Sequence, residues 1–163
     1  MLFRSVTIDR RPIGLSSLVA ETASELEPLA HAQGVKLTAD VHRHVSVLGD
    51  TLRLRQLLLI VLDNALKHTP AGGNVSIRLV LQGERARLQV RDSGSGIAPE
   101  DLPHIFDRFY RADRARTREG SGLGLAIGKW IAEAHGGQIQ ASNASPTGAL
   151  FTVTLPVMRA QAS

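Results

Sequence analysis

The sequence contains no cysteine, which excludes disulfide bonds and thiolate metal sites. No apolar run approaches the roughly 18 residues that a membrane-spanning helix requires, and we expect no signal peptide at residues 1–4. Hydrophobic residues make up 43% of the 163 residues and charged residues 21%, as in ordinary globular proteins. This length suits one compact domain. We therefore expect a single soluble, cytoplasmic domain.

Aromatic residues are also scarce, with one Trp and one Tyr. A formal charge of +4 raises the question of a nucleic-acid partner. Acidic and basic residues are interspersed over most of the chain, however, and there are few rings on which bases would stack. The exception is a run of arginines, which is either a solvated loop or a phosphate contact: Arg108, Arg111, Arg114, Arg116 and Arg118. We expect no nucleic-acid partner.

The apolar spacing predicts three long helices and five or more strands, mostly joined as hairpins. Helices are predicted between Pro12 and Gly34, from 50 to 68 and from 122 to 135, with a short helical stretch over 99–109. Strands are predicted at 35–41, 45–48, 75–81, 86–90, 139–141 and 150–155. This pattern indicates an α+β fold: a two-layer α/β sandwich with a mixed, mostly antiparallel sheet of about five strands, covered on one face by three helices.

The second long helix ends in polar residues on its apolar side. Leu57, Ile60 and Val61 form a stripe that continues, by steps of three and four, into Asn64, Lys67 and His68. One interpretation is a helix end turned to solvent. The other is a helix that forms the floor of a polar pocket, with an amide oxygen for a hard cation and an ammonium for phosphate.

Two glycine-rich segments lie next to predicted secondary structure. The first follows a strand and the second precedes a helix. Asp92-Ser93-Gly94-Ser95-Gly96-Ile97 ends a predicted strand, and Asp92 can accept a hydrogen bond from the amine of adenine. Gly120-Ser121-Gly122-Leu123-Gly124-Leu125 opens the last helix, where free backbone amides favour phosphate. Each segment alone is also explained by a plain turn. No Walker-type lysine and no parallel βαβ unit accompany the second segment, so a P-loop or dinucleotide fold is excluded.

Together these segments resemble the GHKL ATPases (gyrase, heat-shock chaperone, histidine kinase, MutL), and within them the histidine kinases. Residues 50–70 resemble the N box of that family, 92–97 its first glycine box and 120–125 its second. Residues 105–111 resemble the F box of the ATP lid, and residues 135–156 the closing hairpin. The resemblance covers about residues 12 to 157.

The resemblance implies a role for each matching residue. Asn64 would hold Mg²⁺, Lys67 would contact phosphate, and Arg111, together with Arg114 or Arg116, would reach the γ-phosphate. Asp92 would bind the adenine amine. Phe106 and Phe109 would anchor the lid, and core packing is also expected of both. The expected catalytic residues are Asn64, Lys67 and Arg111, and the expected ATP-binding residues are these together with His68, Asp92, Gly94, Gly96, Ile97, Phe106, Tyr110, Gly120, Gly122, Leu123, Gly124 and Leu125.

Two departures from the family pattern define the subclass. Hydrolytic relatives carry a Glu four residues before the magnesium asparagine, but this chain has Ile60, which cannot activate water. Histidine kinases commonly carry a second Asn there. The acceptor histidine of the family is followed by Glu or Asp, whereas the six histidines here are followed by Ala, Arg, Val, Thr, Ile and Gly. The resemblance therefore implies phosphoryl transfer from Mg-ATP to a histidine on a separate domain.

The predicted organisation is a connector at 1–12 that follows a missing dimerisation and phosphoacceptor domain, a catalytic domain at 13–157 and a frayed tail after Pro156 (158–163). The implied partners are ATP, the dimerisation domain of the parent chain and a response regulator. We expect no direct membrane contact by this domain, within a parent protein anchored in the inner membrane. Two alternatives remain open: a serine kinase of the anti-sigma-factor type, and a nucleotide-binding module without activity.

Overall fold

The structure, a computed structural model, describes residues 7–110 and 123–158. Within these ranges the chain forms three α-helices and seven β-strands. In chain order they are β1 (Arg11–Gly14), α1 (Leu15–Ala32), β2 (Lys36–Val41), β3 (Ser46–Gly49), α2 (Thr51–Lys67), β4 (Asn74–Gln82), β5 (Arg85–Asp92), α3 (Gly124–Ala134), β6 (Gln138–Asn143) and β7 (Ala149–Pro156).

Five of the strands form the main sheet, in the order β2-β4-β5-β7-β6. β2 runs parallel to β4, and every other neighbouring pair is antiparallel. Alternate residues of the central strands are buried, as the period of two requires: Val75, Ile77 and Leu79, then Ala86, Leu88 and Val90, then Phe151, Val153 and Leu155. The three helices pack on this apolar face. The predicted two-layer sandwich is therefore confirmed.

A second, two-stranded sheet joins the start of the described chain to the region before α2. β1 pairs antiparallel with β3, from Arg11 opposite Gly49 to Gly14 opposite Ser46. Arg11 and Pro12 thus belong to a strand, although the sequence analysis placed them in a connector. Sequence patterns missed this strand because a four-residue segment with one buried side chain, Ile13, is too short to show an alternation.

Helix α2 begins as the sequence predicts. Asp50 has extended backbone, and its carboxylate accepts hydrogen bonds from the amides of Leu52 (3.1 Å) and Arg53 (3.3 Å). One side of the helix is fully buried against the sheet, at Leu54, Leu57, Leu58, Val61, Leu62, Ala65 and Leu66. This burial fixes the orientation of the last two turns, which carry the candidate site residues.

Helix α3 lies close to α2 because glycine occupies the crossing. A Cβ on Gly128 would lie 3.3 Å from Leu57 Cδ1 and 3.5 Å from Ile60 Cγ2, and one on Gly124 would lie 3.9 Å from Ile60 Cγ2. Ile60 therefore packs directly against the first turns of α3. A guanidinium above a ring adds a second contact, with Arg53 5.8 Å from the ring centre of Trp130.

A buried histidine joins the opposite ends of these helices. His135, 3% exposed, follows α3. Its Nδ1 donates to the carbonyl of Ile131 (2.8 Å), which leaves Nε2 to accept from the amide of Asp50 (3.0 Å) at the start of α2. The chain before β1 is held at the same place, since the amide of Asp9 donates to Asp50 Oδ2 and the Arg10 guanidinium to the carbonyl of Ala134.

Two local predictions are wrong. The stretch 99–109 was predicted to be helical, but only a 3₁₀ turn forms there, at Leu102–His104, since two prolines and several polar residues favour turns. The tail was predicted to fray after Pro156, which is wrong for its first two residues, since the amides of Val157 and Met158 donate to the carbonyls of Glu84 and Ser46. Residues 159–163 lie outside the described residues. None of the helices in the described ranges combines the length and apolar character needed to cross a bilayer.

Candidate functional site

The last two turns of α2 carry the first group of predicted site residues. Asn64 is half-buried, and within residues 7–110 and 123–158 its side-chain amide has no hydrogen-bond partner. Lys67 is exposed, and its ammonium forms an ion pair with Asp63 (3.0 Å), one turn earlier on the same helix. His68 caps the helix end and is also exposed. The interpretation as a solvent-facing helix end therefore suits Lys67 and His68 better than Asn64.

Asp92, the last residue of β5, is a buried carboxylate with 3% exposure. Its Oδ1 accepts from the amides of Gly94 (2.9 Å) and Ala149 (3.1 Å). Both hydrogen bonds that it makes within the described residues end on this one oxygen. Oδ2 therefore remains as a fixed acceptor, because an ionised carboxylate has capacity on both oxygens. The sequence predicted a carboxylate directed at a specific partner, and this geometry is suited to an amine donor.

The loop after Asp92 crosses the end of α2 at very short range. A Cβ on Gly94 would lie 2.1 Å from the carbonyl oxygen of His68, a distance that no side chain tolerates. Ser93 closes the loop onto β4, since its hydroxyl accepts from the amide of Asn74 (2.8 Å) and its own amide donates to the carbonyl of Asn74 (3.0 Å). The glycine thus brings the 92–97 loop against the helix end that carries Asn64.

Asn143, at the end of β6, holds the far side of this loop. Its Oδ1 accepts from the amide of Ile97 (2.7 Å) and its Nδ2 donates to the carbonyl of Ile97 (2.8 Å). Gly96 has a φ of +82°, a left-handed conformation that glycine adopts without steric cost. Ile97 is half-buried against the core. Its backbone position is therefore fixed from both sides, as a wall of a base pocket requires.

The N-terminal end of α3 supplies the other wall. Leu123 precedes the helix, the first turn contains no acidic residue, and among residues 7–110 and 123–158 no side chain caps it. Gly124 is exposed at this end, and Leu125 is half-buried. The contact between Gly124 and Ile60 places this end beside α2, one turn from Asn64. Free amides and the positive end of the helix dipole together favour an anion here.

Phe106 and Phe109, the two predicted lid anchors, have different surroundings. Phe106 packs edge-on against the buried Phe151, with ring centres 6.1 Å apart. Phe109 is 63% exposed with a φ of +65°, so the expectation that it also packs in the core is wrong. Tyr110 stacks near His104 and its hydroxyl donates to Asp101. Arg111, Arg114, Arg116, Gly120 and Gly122 lie outside the described residues.

These elements converge around the end of α2. The 92–97 loop crosses the helix at His68, and α3 meets it at Ile60, with Asn64 between the two contacts. An acceptor for an amine, Asp92, thus lies toward one side, and an anion-binding helix end lies toward the other. The arrangement is suited to a ligand with an amino-substituted base at one end and phosphates at the other.

Sequence reasoning missed two residues of this arrangement. Asn143 lies in a segment, 142–148, whose composition is that of an ordinary turn, so nothing in the sequence distinguishes its two bonds to Ile97. Gly148 was noted as part of a hairpin, but its contact was not predicted: a Cβ there would lie 1.8 Å from the carbonyl oxygen of Asp92. Both contacts join segments about fifty residues apart, which only the pairing of β5 with β7 brings together.

Comparisons with known proteins identify the family of the chain. Residues 49–159 match the family described as histidine kinase-, DNA gyrase B-, and HSP90-like ATPase. The sensor histidine kinase RppB of Synechocystis sp. is 39% identical over 152 residues, which cover 91% of this chain and 34% of RppB. The chain therefore spans about a third of the length of that curated relative.

Two solved structures are similar over nearly the whole chain. The mycobacterial sensor histidine kinase MprB has a TM-score of 0.77 at 30% identity, covering 93% of this chain and 99% of that one. Full-length ShkA in complex with AMPPNP has a TM-score of 0.81 at 31% identity, covering 97% of this chain and 33% of that one. The chain belongs to the histidine kinase-, DNA gyrase B- and HSP90-like ATPase family, and within it to the ATP-binding catalytic domains of sensor histidine kinases.

Proposed function

We propose that this domain binds Mg-ATP at the end of α2 and transfers the γ-phosphoryl group to a histidine on a separate dimerisation domain, in two-component signalling. The observation that carries the proposal is the convergence of Asp92, Asn64 and the uncapped end of α3 around one short stretch of helix. The similarity to ShkA, whose structure contains the ATP analogue AMPPNP, supports the same choice of nucleotide.

In this proposal Asp92 selects the base. Its Oδ2 accepts a hydrogen bond from the exocyclic amine of adenine, while the amides of Gly94 and Ala149 hold Oδ1. Guanine presents a carbonyl oxygen at the equivalent position, which a carboxylate repels. The loop from Gly94 to Ile97, fixed by Asn143, forms the wall of the base pocket.

The phosphates lie between Asn64 and the start of α3. Leu123, Gly124 and Leu125, with Gly120 and Gly122 before them, offer backbone amides, and Arg111 and Lys67 add positive charge. Lys67 leaves its pairing with Asp63 at little cost, since an exposed ion pair of this kind contributes at most about 1 kcal/mol. His68 and Tyr110 complete the rim.

Magnesium fits the chemistry of Asn64. The half-buried amide has no partner among the described residues, and an amide oxygen is a suitable ligand for a hard cation. No group of three His, Asp or Glu side chains lies together in ranges 7–110 and 123–158, so the ion would complete its coordination with phosphate oxygens and water. When bound, the ion neutralises charge on the triphosphate during transfer.

The transfer step itself places few demands on this chain. The histidine nitrogen forms a bond to the γ-phosphorus, the bond from that phosphorus to the β–γ bridging oxygen breaks, and ADP leaves. The chain contributes positioning and charge neutralisation. Ile60 stands where a water-activating glutamate would be needed, and it packs on Gly124 and Gly128, so hydrolysis is disfavoured at the same site.

The base site is tested by titrating a fluorescent ATP analogue, with and without Mg²⁺, into the chain and into Asp92→Asn. An asparagine oxygen still accepts from Gly94 and Ala149, but its NH₂ faces the adenine amine. Loss of a hydrogen bond to a charged group costs about 1.5–3 kcal/mol, or roughly ten- to a hundredfold in affinity. Asp40→Asn, an exposed carboxylate, serves as the control. Equal affinity of the original chain and both variants for the analogue would contradict the proposed role of Asp92 in binding the base.

The phosphoryl acceptor is tested with a chimera in which this chain replaces the matching third of RppB. With γ-labelled ATP we expect phosphate that is lost in acid and retained in alkali, as for phosphohistidine. Label that survives acid would support the serine-kinase alternative. No label, with intact binding of the analogue, would support a module without activity. The response regulator, the cytoplasmic location and a membrane-anchored parent belong to the same proposal.

A further inference from the structure

The helices cover one face of the main sheet, and in the described part of the chain no element covers the other. The strand residues that point away from the helices are half-buried or exposed, in contrast to their buried neighbours. We call this surface the open face. Its members on the inner strands are Ser76, Arg78 and Val80 on β4, Arg85, Arg87, Gln89 and Arg91 on β5, and Leu150, Thr152 and Thr154 on β7.

The open face carries charge of almost one sign. Its cations are Lys36, Arg78, Arg85, Arg87 and Arg91, and Asp40 on the edge strand is the single carboxylate on its strand positions. An excess of four positive charges on this face equals the formal net charge of +4 for the whole chain. The remaining charges of the chain sum to zero, although they include the run of arginines from Arg108 to Arg118, which does not belong to these strands.

The arginines of β5 are close together and are not neutralised by neighbours. Arg85, Arg87 and Arg91 lie on the same side of one strand, where alternate residues are about 7 Å apart. Arg78, on the neighbouring strand, is 3.9 Å from Asp40 in a pair that is largely exposed. Arg91 donates to the carbonyl of Ser145, which leaves its charge in place. Like charges at this spacing repel one another, and an acidic partner would relieve that repulsion.

Arg87 has a specific unmet requirement. Its Nε is buried and has no hydrogen-bond partner, and in the described part of the chain no other buried side-chain nitrogen or oxygen lacks one. A buried donor left unpaired costs about 1–3 kcal/mol. Arg87 is half-buried as a whole, and the two terminal NH₂ groups of a guanidinium form a fork that a carboxylate binds with two parallel hydrogen bonds.

The side chains between the arginines favour a protein over other anions. The open face contains Thr, Gln, Val and Leu among its arginines, and of these residue types arginine is the one enriched at protein interfaces. The described strand residues of this face include no aromatic ring on which a nucleic-acid base would stack, and no large exposed apolar residue that would insert into a lipid surface.

We propose that the open face is a docking surface for an acidic protein segment, whose carboxylates pair with the guanidinium groups of Arg85, Arg87 and Arg78. This surface lies on the opposite side of the sheet from the helices. Docking there leaves the nucleotide site accessible, so the proposal does not depend on the function of that site.

The test is an NMR titration of the ¹⁵N-labelled 163-residue chain with a peptide of about ten residues in which glutamate alternates with alanine. We expect saturable shifts of amides in β4 and β5 and of the Arg87 Nε–H signal. Arg85→Glu with Arg87→Glu should weaken binding at least fivefold. Arg43→Glu with Lys129→Glu, which makes the same change of net charge on other exposed positions, should weaken it less than twofold.

A second variant separates the fork from the charge. Arg87→Lys keeps the charge and the fold but cannot form the two parallel bonds, and we expect it to weaken binding about threefold. Equal weakening by the two double variants, or an unchanged affinity in Arg87→Lys, would overturn the proposal. So would tighter binding of oligothymidylate or of phosphatidylglycerol vesicles at the same residues. The affinity for the ATP analogue should stay unchanged in all variants, and this readout reports on the nucleotide site alone.

Discussion

At the scale of single residues, the two carboxylate oxygens of Asp92 have different roles. Oδ1 joins two segments of the fold through the amides of Gly94 and Ala149. Oδ2 is left to a ligand. Since one oxygen is fixed by two donors, the direction of the other is fixed as well, and no reorganisation is needed when a base binds. The same residue therefore contributes to folding and to the proposed selection of adenine.

His135 is the residue whose ionisation is coupled to folding. Burial lowers the pKa of its imidazole from the ordinary value of 6.5, and the positive charge of Arg10 lowers it further, against the opposing effects of the Ile131 carbonyl and Asp50. The neutral ring is also the form that the structure uses, because Nε2 must accept the hydrogen bond from Asp50. Protonation would replace this acceptor with a donor that faces an amide N–H.

We therefore predict that the free energy of unfolding falls as the pH is lowered below about 6.5. In that range the unfolded chain binds a proton at His135 and the folded chain does not, so stability rises with pH. The slope approaches at most about 1.4 kcal/mol per pH unit. Urea unfolding at pH 7.5, 6.5 and 5.5 measures it.

His135→Gln keeps an acceptor in reach of Asp50 and does not titrate, so its curve should be flatter between pH 7.5 and 5.5. His31→Gln, at an exposed position of α1, is the matched control and should keep the slope of the original chain. If His135→Gln and the original chain had the same slope, another group would be responsible for the pH dependence.

At the scale of elements, the connection from β6 to β7 positions the 92–97 loop. Gly148 has a φ of +98°, and a Cβ on it would lie 1.8 Å from the carbonyl oxygen of Asp92. Asn143, at the start of the same connection, binds Ile97. This connection thus holds both ends of the 92–97 loop, and the proposed base pocket depends on it.

Gly148→Ala and Gly72→Ala form a matched pair. Both glycines have positive φ, +98° and +91°, but a Cβ on Gly72 would meet nothing within 4 Å. We expect Gly72→Ala to cost about 1 kcal/mol of stability, from the left-handed backbone alone. Gly148→Ala should cost at least about 2 kcal/mol, because backbone must also move.

Thermal unfolding gives the stability of each variant, and titration with the ATP analogue gives its affinity. Only Gly148→Ala should weaken the affinity, since the displaced atom belongs to Asp92. Similar losses of stability for the two variants would contradict the argument from close contact, and an unchanged affinity in a folded Gly148→Ala would separate the connection from the pocket.

The crossing of α2 and α3 explains a departure from the family pattern. Ile60 stands where the family resemblance leads one to expect a polar residue, and its side chain packs against Gly124 and Gly128. An apolar side chain suits this contact because it fills the space that the two glycines leave. This packing places the N-terminal end of α3 one turn from Asn64, the proposed magnesium ligand.

At the scale of the whole molecule, the sequence lacks two features that the family resemblance associates with consumption of ATP. None of its six histidines is followed by an acidic residue, and Ile60 cannot activate water. The proposed function therefore requires the nucleophile of another domain.

We predict that the 163-residue chain binds ATP without changing it. Incubation with γ-labelled ATP should give no acid-labile label on the protein, and a colorimetric phosphate assay should show no sustained turnover. The RppB chimera, measured in parallel, provides the positive control for phosphorylation. Repeated turnovers within minutes by the isolated chain would identify it as a hydrolase instead.

The two faces of the sheet divide the molecule by chemistry. The helix face encloses the core and carries the proposed nucleotide site at the end of α2, whereas the open face carries five cations and one carboxylate on its strand positions. Because the strands alternate, a single strand such as β5 supplies Leu88 and Val90 to the core and Arg87 and Arg91 to the opposite surface. The charge of the open face is thus arranged by the sheet and is not visible as a run in the sequence.

The sequence by itself determined the elements and most of the proposed site. Helix α2 and strands β4 and β5 were predicted from apolar periodicities of 3.6 and 2 residues. Such periodicities depend only on residues that are near one another in the sequence. Spaced boxes identified Asn64 and the 92–97 loop. Tertiary structure decided what depends on distant segments: β1 pairing with β3, Asn143 holding Ile97, Gly148 beside Asp92, and Ile60 against α3. No local pattern encodes such contacts, because each residue's partner is chosen by the packing of the whole chain.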